Sequence, residues 1–123
     1  MFPPDYQPHY IKARIEDSIT FVVFQLSEVT DDDNIDVLGR ELFSLVDQFG
    51  CEKIVLDLAG VGYITSSVLG KIISLHRKQS RSGGRLVLCN LEPGLAETLQ
   101  TSRLLSYFDV ADDANAAVAC LAG

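Results

Sequence analysis

Three consecutive hydroxyl side chains, Thr65, Ser66 and Ser67, are the residues of this sequence best suited to carry a modification or a catalytic step. They lie in the stretch "YITSSVLG", where one apolar run ends at Ile64 and another begins at Val68. A serine or threonine here can cap a helix, because its oxygen accepts a hydrogen bond from a free amide of the first turn, worth about 1 kcal/mol. One cap needs one hydroxyl, so the cluster is either a cap with polar neighbours or a functional site.

A phosphate-binding loop is one alternative, because glycines precede the hydroxyls. Gly60-Val61-Gly62 follows a strand-like run and precedes a helix-like run. This is the setting of a GxGxxG loop, which binds nucleotide phosphates through backbone amides. Thr65 replaces the third glycine of that pattern. A small nucleotide-binding protein therefore stays as the less favoured alternative.

No catalytic or metal site stands out in the sequence. A serine-hydrolase elbow, GxSxG, would need glycines where Ile64 and Val68 flank Ser66. The only histidines are His9 and His76, and a regular helix from Ser66 puts His76 about 15 Å away, too far for a general base. No carboxylate pair or Cys/His spacing typical of metal ligands stands out either. We therefore expect no enzymatic activity, no cofactor and no metal.

The charge of the chain limits its partners. The 123 residues include 17 acidic and 10 basic ones, a formal net charge of −7. This charge disfavours nucleic acid and anionic membrane surfaces, because both attract positive proteins. The longest uncharged run, residues 58–70, is shorter than the roughly 20 residues of a membrane span. The N-terminus lacks the pattern of a secretory signal, so we expect a cytoplasmic protein without a membrane segment.

The three cysteines indicate free thiols. Their number is odd and no CxxC spacing occurs. Cys51 and Cys89 lie in or beside strand-like runs, and Cys120 lies on an apolar helical face. We expect all three to be buried and reduced, which suits a reducing compartment.

The hydrophobic pattern predicts the elements that position the hydroxyl cluster. Residues 1–8 contain three prolines and are predicted as an irregular arm, and residues 9–123 as a single domain. The runs "YIKARIED" and "ITFVVFQL" predict a hairpin. The cluster "TDDDN" predicts the start of a helix that Gly50 ends. The apolar strands "KIVLDLAG" and "RLVLCN" then flank a helix that runs from the hydroxyls to Gly83-Gly84.

The remaining segment predicts two more helices. Pro93 suits the first turn of a short helix. The connector "LLSYFDV" can hold a brief strand, and Asp112 or Asp113 can cap a last helix. The order ββαβαβαα implies parallel crossover connections after the hairpin. The predicted fold class is α/β, with a mixed sheet of four to five strands, helices packed against it and Val87 fully buried.

Several features of the chain after the arm occur in the order of one known family. They are the "YITSSVLGKII" motif, the Gly-Gly turn, the proline-containing helix, the stretch from Leu104 to Val110 and the final Asp-Asp-Ala. Together they resemble the STAS domain of bacterial anti-sigma factor antagonists. The resemblance covers nearly the whole chain after the arm and implies a STAS-like fold.

The resemblance also implies a phosphorylation site. The family motif is approximately Asp-Ser-Ser/Thr-Gly-Leu-Gly, and its positions fall on Thr65, Ser66, Ser67, Val68, Leu69 and Gly70. The phosphoacceptor serine falls on Ser66, with Thr65 and Ser67 as substitutes. Two residues depart from the motif, since Thr65 replaces the Asp and Val68 replaces the first Gly. We expect the valine to add bulk toward a partner.

The function implied is a non-enzymatic switch. Such antagonists bind an anti-sigma factor kinase while unphosphorylated, the kinase releases them by phosphorylating the serine, and a phosphatase resets them. A phosphoserine adds about −1.5 to −2 charges at pH 7. A helix start tolerates this charge, whereas a protein interface does not. We expect a monomer or a weak dimer.

The predicted partner-binding surface joins the hydroxyl motif to an acidic cluster. It spans residues 65–70 and the acidic cluster, and its named contact residues are Asp31, Asp32, Asp33, Thr65, Ser66, Ser67, Val68 and Leu69. The aspartates are equally explained as a helix cap and solvated charge. The alternative within the class is a STAS scaffold that is never phosphorylated, because STAS domains also occur in signalling scaffolds and in transporter regulation.

Overall fold

The computed structural model describes residues 2–4, 6–25, 28–29 and 35–122. The strands are β1 (Ile11–Glu16), β2 (Ile19–Phe24), β3 (Glu28–Val29), β4 (Lys53–Asp57), β5 (Tyr63–Ile64), β6 (Arg85–Cys89) and β7 (Asp109–Ala111). The helices are α1 (Ile35–Asp47), α2 (Ser66–Arg81), α3 (Pro93–Thr101) and α4 (Ala114–Ala122).

The main sheet has five strands in the order β1-β2-β4-β6-β7. β1 pairs with β2 in antiparallel fashion, and each later neighbour is parallel. The hairpin turn consists of Asp17 and Ser18, with φ values of 53° and 67°. Positive φ at both central residues matches the right-handed twist of the strands. The predicted mixed α/β fold is therefore confirmed, and the predicted connector supplies the short edge strand β7.

Strand alternation divides the core into two layers. Leu56 of β4 and Leu88 of β6 lie in a cluster with the apolar faces of α1, α2 and α3. Val55 and Val87 point to the opposite face, where they pack against α4. Val87 has 0% of its surface exposed, as the pattern predicted. The hydroxyl cluster therefore begins a helix, α2, whose apolar face packs in the same layer as Leu56 and Leu88.

A second, two-stranded sheet was not predicted. β3 pairs with β5 in parallel, with Glu28 beside Tyr63 and Val29 beside Ile64. Two residues are too few for an alternation to be recognised in sequence. This small sheet brings the chain that enters α1 next to the chain that enters α2.

Two further predictions are refined by the structure. All three cysteines are free, but Cys120 is exposed, so its predicted burial is wrong. The reason is that α4 buries the line of Ala117 and Leu121, and Cys120 lies on the flank of that line.

The N-terminal residues hold no helix or strand where they are described, and the rings of Phe2 and Tyr6 pack on Phe49.

Candidate functional site

Thr65 is the cap of α2. Its backbone is extended, with φ −77° and ψ 164°. Its Oγ1 accepts a hydrogen bond of 3.2 Å from the amide of Val68, and its carbonyl accepts one of 3.0 Å from Leu69. The capping interpretation of the cluster is thus correct for one of the three hydroxyls.

Ser66 and Ser67 are exposed in the first turn of α2. Because Thr65 already caps the helix, the fold does not need either serine as its cap. Both hydroxyls therefore stand at a helix start, where free amides and the helix dipole favour a negative group. The arrangement can accept a covalent anion without rebuilding the helix.

Val68 does not face outward. Its side chain is 1% exposed and lies in the core with Ile72 and Leu75 of the same helix. The expectation that it adds bulk toward a partner is wrong, because positions 68, 72 and 75 form the buried stripe of α2. Leu69 is half-buried against the same core, so only part of its surface is accessible.

Two further residues border the serines: Tyr63, which was not predicted as a site residue, and Gly70, the last position of the predicted interface 65–70. Tyr63 is 58% exposed, the most exposed large hydrophobic residue described. Gly70 is exposed, and a Cβ built there would meet no atom of the described residues within 4 Å. A helical glycine costs up to 1 kcal/mol relative to alanine, and neither its φ nor packing against the described residues explains this glycine. The sequence signal for an exposed Tyr63 would have been strand alternation, because its neighbour Ile64 is buried. That alternation is recognisable only once β5 is assigned as a strand.

A shallow concavity of about 410 Å³ lies between the first turns of α1 and α2. Its lining residues are Ile35, Ser67, Gly70, Lys71 and Ser74. The Lys71 side chain packs against α1 at Gly39. A Cβ on Gly39 would lie 3.0 Å from the Lys71 side chain. The Lys71 ammonium is 4.0 Å from the Asp36 carboxylate. The glycine in α1 therefore lets the Lys71 side chain lie against α1, in the wall of the concavity that also contains Ser67.

The acidic cluster Asp31, Asp32 and Asp33 lies outside the described residues. The residues on either side of this segment are both near the start of α2. Val29 pairs with Ile64, and Ile35 lines the concavity that contains Ser67.

The loop Gly60-Val61-Gly62 is occupied by the chain itself. The amide of Gly60 donates to the Glu92 carboxylate at 3.1 Å, and the amide of Ala59 donates to Asp57 at 3.0 Å. Val61 is buried. Two carboxylates at these amides repel a phosphate, so the geometry argues against the nucleotide-binding alternative.

In the part of the chain that the structure describes, the other titratable groups do not form a second site. The His76 ring packs against Tyr107 and Phe108, at centroid distances of 4.8 and 5.4 Å, and is not directed at the serines. Burial, with smaller contributions from Asp57 and Asp113, raises the pKa of Cys89 to about 11. Within the described ranges, no three His, Cys, Asp or Glu residues come together as metal ligands. Nor does any helix there have the length and apolarity to cross a membrane.

The chain is similar in sequence and in fold to several known proteins. The sequence model of the STAS domain matches residues 10–117. BtrV of Bordetella bronchiseptica, provisionally named an anti-sigma factor antagonist, is 36% identical over 94 residues, or 76% of this chain and 80% of BtrV. A provisionally named anti-sigma factor antagonist from Thermotoga maritima has a similar crystal structure, with a TM-score of 0.81 at 23% identity over 94% of this chain and 97% of that one. The phosphorylated form of Bacillus SpoIIAA gives a TM-score of 0.65 at 16% identity, over 86% of this chain and 95% of that one.

Proposed function

Since the chain belongs to the STAS domain family, we propose that it is an anti-sigma factor antagonist switched by phosphorylation of Ser66. In its unmodified form it binds an anti-sigma factor that is also a serine kinase. Phosphorylation releases it, and a phosphatase restores it. The chain itself catalyses no step. The proposal includes a single domain of residues 9–123 that follows an arm of residues 1–8. It also places the protein in the cytoplasm.

The observation that carries this proposal is the division of roles among the three hydroxyls. Thr65 caps α2 through its 3.2 Å bond to Val68, while Ser66 is exposed one residue later. A kinase can therefore reach the Ser66 hydroxyl without unfolding the helix. The phosphate, at about −1.5 to −2 charges, lies at a helix start that tolerates it. A bound partner would have to desolvate that charge, so modification opposes binding and spares the fold.

The proposed partner surface surrounds Ser66. Its central residues are Tyr63, Ser66, Ser67, Gly70 and Lys71. The accessible parts of Thr65 and Leu69 and the acidic cluster Asp31, Asp32 and Asp33 complete it. Exposed tyrosines are enriched among residues that dominate binding energy. Gly70 lets a partner backbone approach α2 closely. The named relative BtrV supports the assignment of a partner class, and the phosphorylated SpoIIAA supports a phosphate on this fold.

The test combines phosphosite mapping with binding. The chain is incubated with the anti-sigma factor kinases of its source organism and ATP, and the modified residue is identified by mass spectrometry. Affinity for the kinase is then measured for the wild type and for Ser66→Ala, Ser66→Asn and Ser66→Asp. Asparagine is the matched control, because it has the size of aspartate without the charge.

We expect phosphate on Ser66, and binding that Ser66→Asp weakens more than Ser66→Asn or Ser66→Ala does. Stability should change by less than about 1 kcal/mol in all three variants, because Thr65 supplies the cap. Phosphate found only on Thr65 or Ser67 would move the switch to that residue. Kinase binding with no phosphate on any residue would favour the unphosphorylated scaffold, and equal affinities of the Asn and Asp variants would exclude the charge switch.

A further inference from the structure

β1 is an edge strand of the main sheet, and its outer side offers backbone groups for pairing. The amide of Gln25 donates to the carbonyl of Tyr10 at 3.0 Å, which makes these two opposite residues a hydrogen-bonded pair. Every second residue from Tyr10 therefore bonds toward β2. The amides and carbonyls of Ile11, Ala13 and Ile15 consequently point away from the sheet.

The described residues leave the second half of this edge without hydrogen-bonding partners. The Ile11 carbonyl accepts a hydrogen bond of 2.8 Å from the Gln25 side chain. For Ala13 and Ile15, no backbone partner on the outer side is found among the described residues. Ile15 is also 41% exposed, although it is a large aliphatic residue in a strand. A strand edge of this kind is a template for pairing with another chain.

The charges of β1 suit a second copy of the same strand. Lys12, Arg14 and Glu16 point to one face, with the basic residues at one end and the acidic residue at the other. In an antiparallel pair related by a two-fold axis at Arg14, Lys12 of one copy lies opposite Glu16 of the other. Opposite charges at facing positions stabilise such a pair.

This register is favoured over its two neighbours. Moving the axis to Ala13 would place Lys12 opposite Arg14, two like charges, and would require the Ile11 carbonyl that Gln25 already occupies. Moving it to Ile15 would require pairing by Asp17, which is in the turn with φ 53°. With the axis at Arg14, Ala13 and Ile15 face each other in two hydrogen-bonded pairs.

We propose that β1 is a self-association edge, through which two copies of this chain form an antiparallel dimer with Arg14 on the two-fold axis. The pairing covers the exposed Ile15. The two Arg14 side chains meet at the axis, but each is compensated within its own chain. The Arg14 guanidinium lies 4.4 Å above the Phe21 ring centre and forms an ion pair with Glu16. The small paired length predicts a weak dimer. This surface is separate from the Ser66 surface and does not depend on the proposed function.

Sedimentation velocity from micromolar to millimolar protein tests the association. The variants are Ile15→Pro and the matched control Ile15→Val. The amide of residue 15 points outward, so proline removes a bond to the second copy and none to β2. We expect a concentration-dependent dimer for the wild type and Ile15→Val, and its loss in Ile15→Pro. A wild type that is monomeric at every concentration, or a dimer kept by a folded Ile15→Pro, overturns the proposal.

Cysteine cross-linking tests the register and does not depend on the folding of the proline variant. Arg14→Cys is compared with Lys12→Cys, both in a Cys120→Ser background that removes the exposed native thiol. Facing residues in a non-hydrogen-bonded antiparallel pair have Cα atoms about 4.5 Å apart, within disulfide range. Position 14 faces itself and position 12 faces position 16, so Arg14→Cys should form the disulfide dimer faster under mild oxidation. Equal rates, a faster Lys12→Cys, or no dimer from either variant overturns the proposed pairing.

Discussion

Two neighbouring regions follow β4, and they use their polar groups in opposite ways. In the closed loop, residues 57–62, the backbone amides of Ala59 and Gly60 are bonded to carboxylates of the chain itself. In the open turn, residues 65–70, one hydroxyl caps the helix, while Ser66 and Ser67 stay exposed. Both regions have the glycines and polar residues expected of a site. This contrast indicates that a motif can act as a binding site only where the fold leaves its polar groups without partners.

The difference has an energetic consequence. Removing an acceptor from the closed loop breaks a hydrogen bond to a charged carboxylate, which costs stability. Changing an exposed group of the open turn costs little stability, and its effect appears only when a partner binds. Stability and partner affinity should therefore respond separately to substitutions in the two regions.

The largest expected effect lies in the sheet that supports both regions. Val87 is fully buried in β6, which pairs with β4. Val87→Asp should reduce the free energy of unfolding by several kcal/mol, because an unpaired charge enters the core. Urea and thermal denaturation measure the change, and Val87→Thr is the control of similar size. A melting temperature within a couple of degrees of the wild type would contradict this packing.

The next effect distinguishes the closed loop. Asp57 accepts hydrogen bonds of 3.0 Å from the amide of Ala59 and from the Asn90 side chain. Asp57→Ala should cost about 1–3 kcal/mol of stability, because these donors lose their acceptor. Affinity for the kinase should be unchanged at temperatures where the variant is folded. The control is Ser66→Ala, which should leave stability nearly intact. A folded Asp57→Ala with weakened binding would mean that the closed loop is part of the partner surface.

The fold could be predicted because its elements are long and their patterns regular. Apolar runs identified β4 and β6, and the spacing of Ile72 and Leu75 identified α2. β3 and β5 are two residues each and are held by tertiary pairing, so no local pattern revealed them. Without β5, the outward position of Tyr63 could not be predicted either.

At position 68, the family motif and the hydrophobic pattern led to different predictions. Val68 shares the helical spacing of Ile72 and Leu75, which indicates burial, yet its place in the family motif suggested exposure. The physical pattern was correct. The position of Lys71 in the concavity depends on Gly39 of another helix, and a contact between two helices is not encoded in local spacing.

A smaller effect should appear at Gly70 in the open turn. No atom of the described residues lies within 4 Å of a Cβ built there, so Gly70→Ala should stabilise α2 by up to about 1 kcal/mol. The same methyl group should weaken kinase binding, because it projects into the concavity beside Ser67. Ser80→Ala, at an exposed position of α2 away from the concavity, is the control and should leave binding unchanged. Stabilisation without any loss of affinity would remove Gly70 from the partner surface.

The smallest effect concerns the thiol beside the closed loop. Cys89 is buried, and the adjacent Asn90 side chain bonds to Asp57. Burial foremost, then Asp57 and Asp113, raises the pKa of Cys89 from 9.0 to about 11. At pH 8 the native protein should therefore react with iodoacetamide at exposed Cys120 and leave Cys89 intact, as mass spectrometry can measure. Early modification of Cys89 would mean that the closed loop opens readily.

The same pKa gives stability a direction with pH. In the unfolded chain Cys89 loses its proton near its ordinary pKa of 9.0, whereas in the folded protein it keeps the proton until about pH 11. The folded state therefore binds more protons in this window, and stability should fall as pH rises from about 9 to about 11. Burial also raises the pKa of Tyr6, which acts in the same direction at alkaline pH. Urea titrations at several pH values should show a shallower alkaline decline for Cys89→Ala than for the wild type. Equal slopes would assign the decline to other groups.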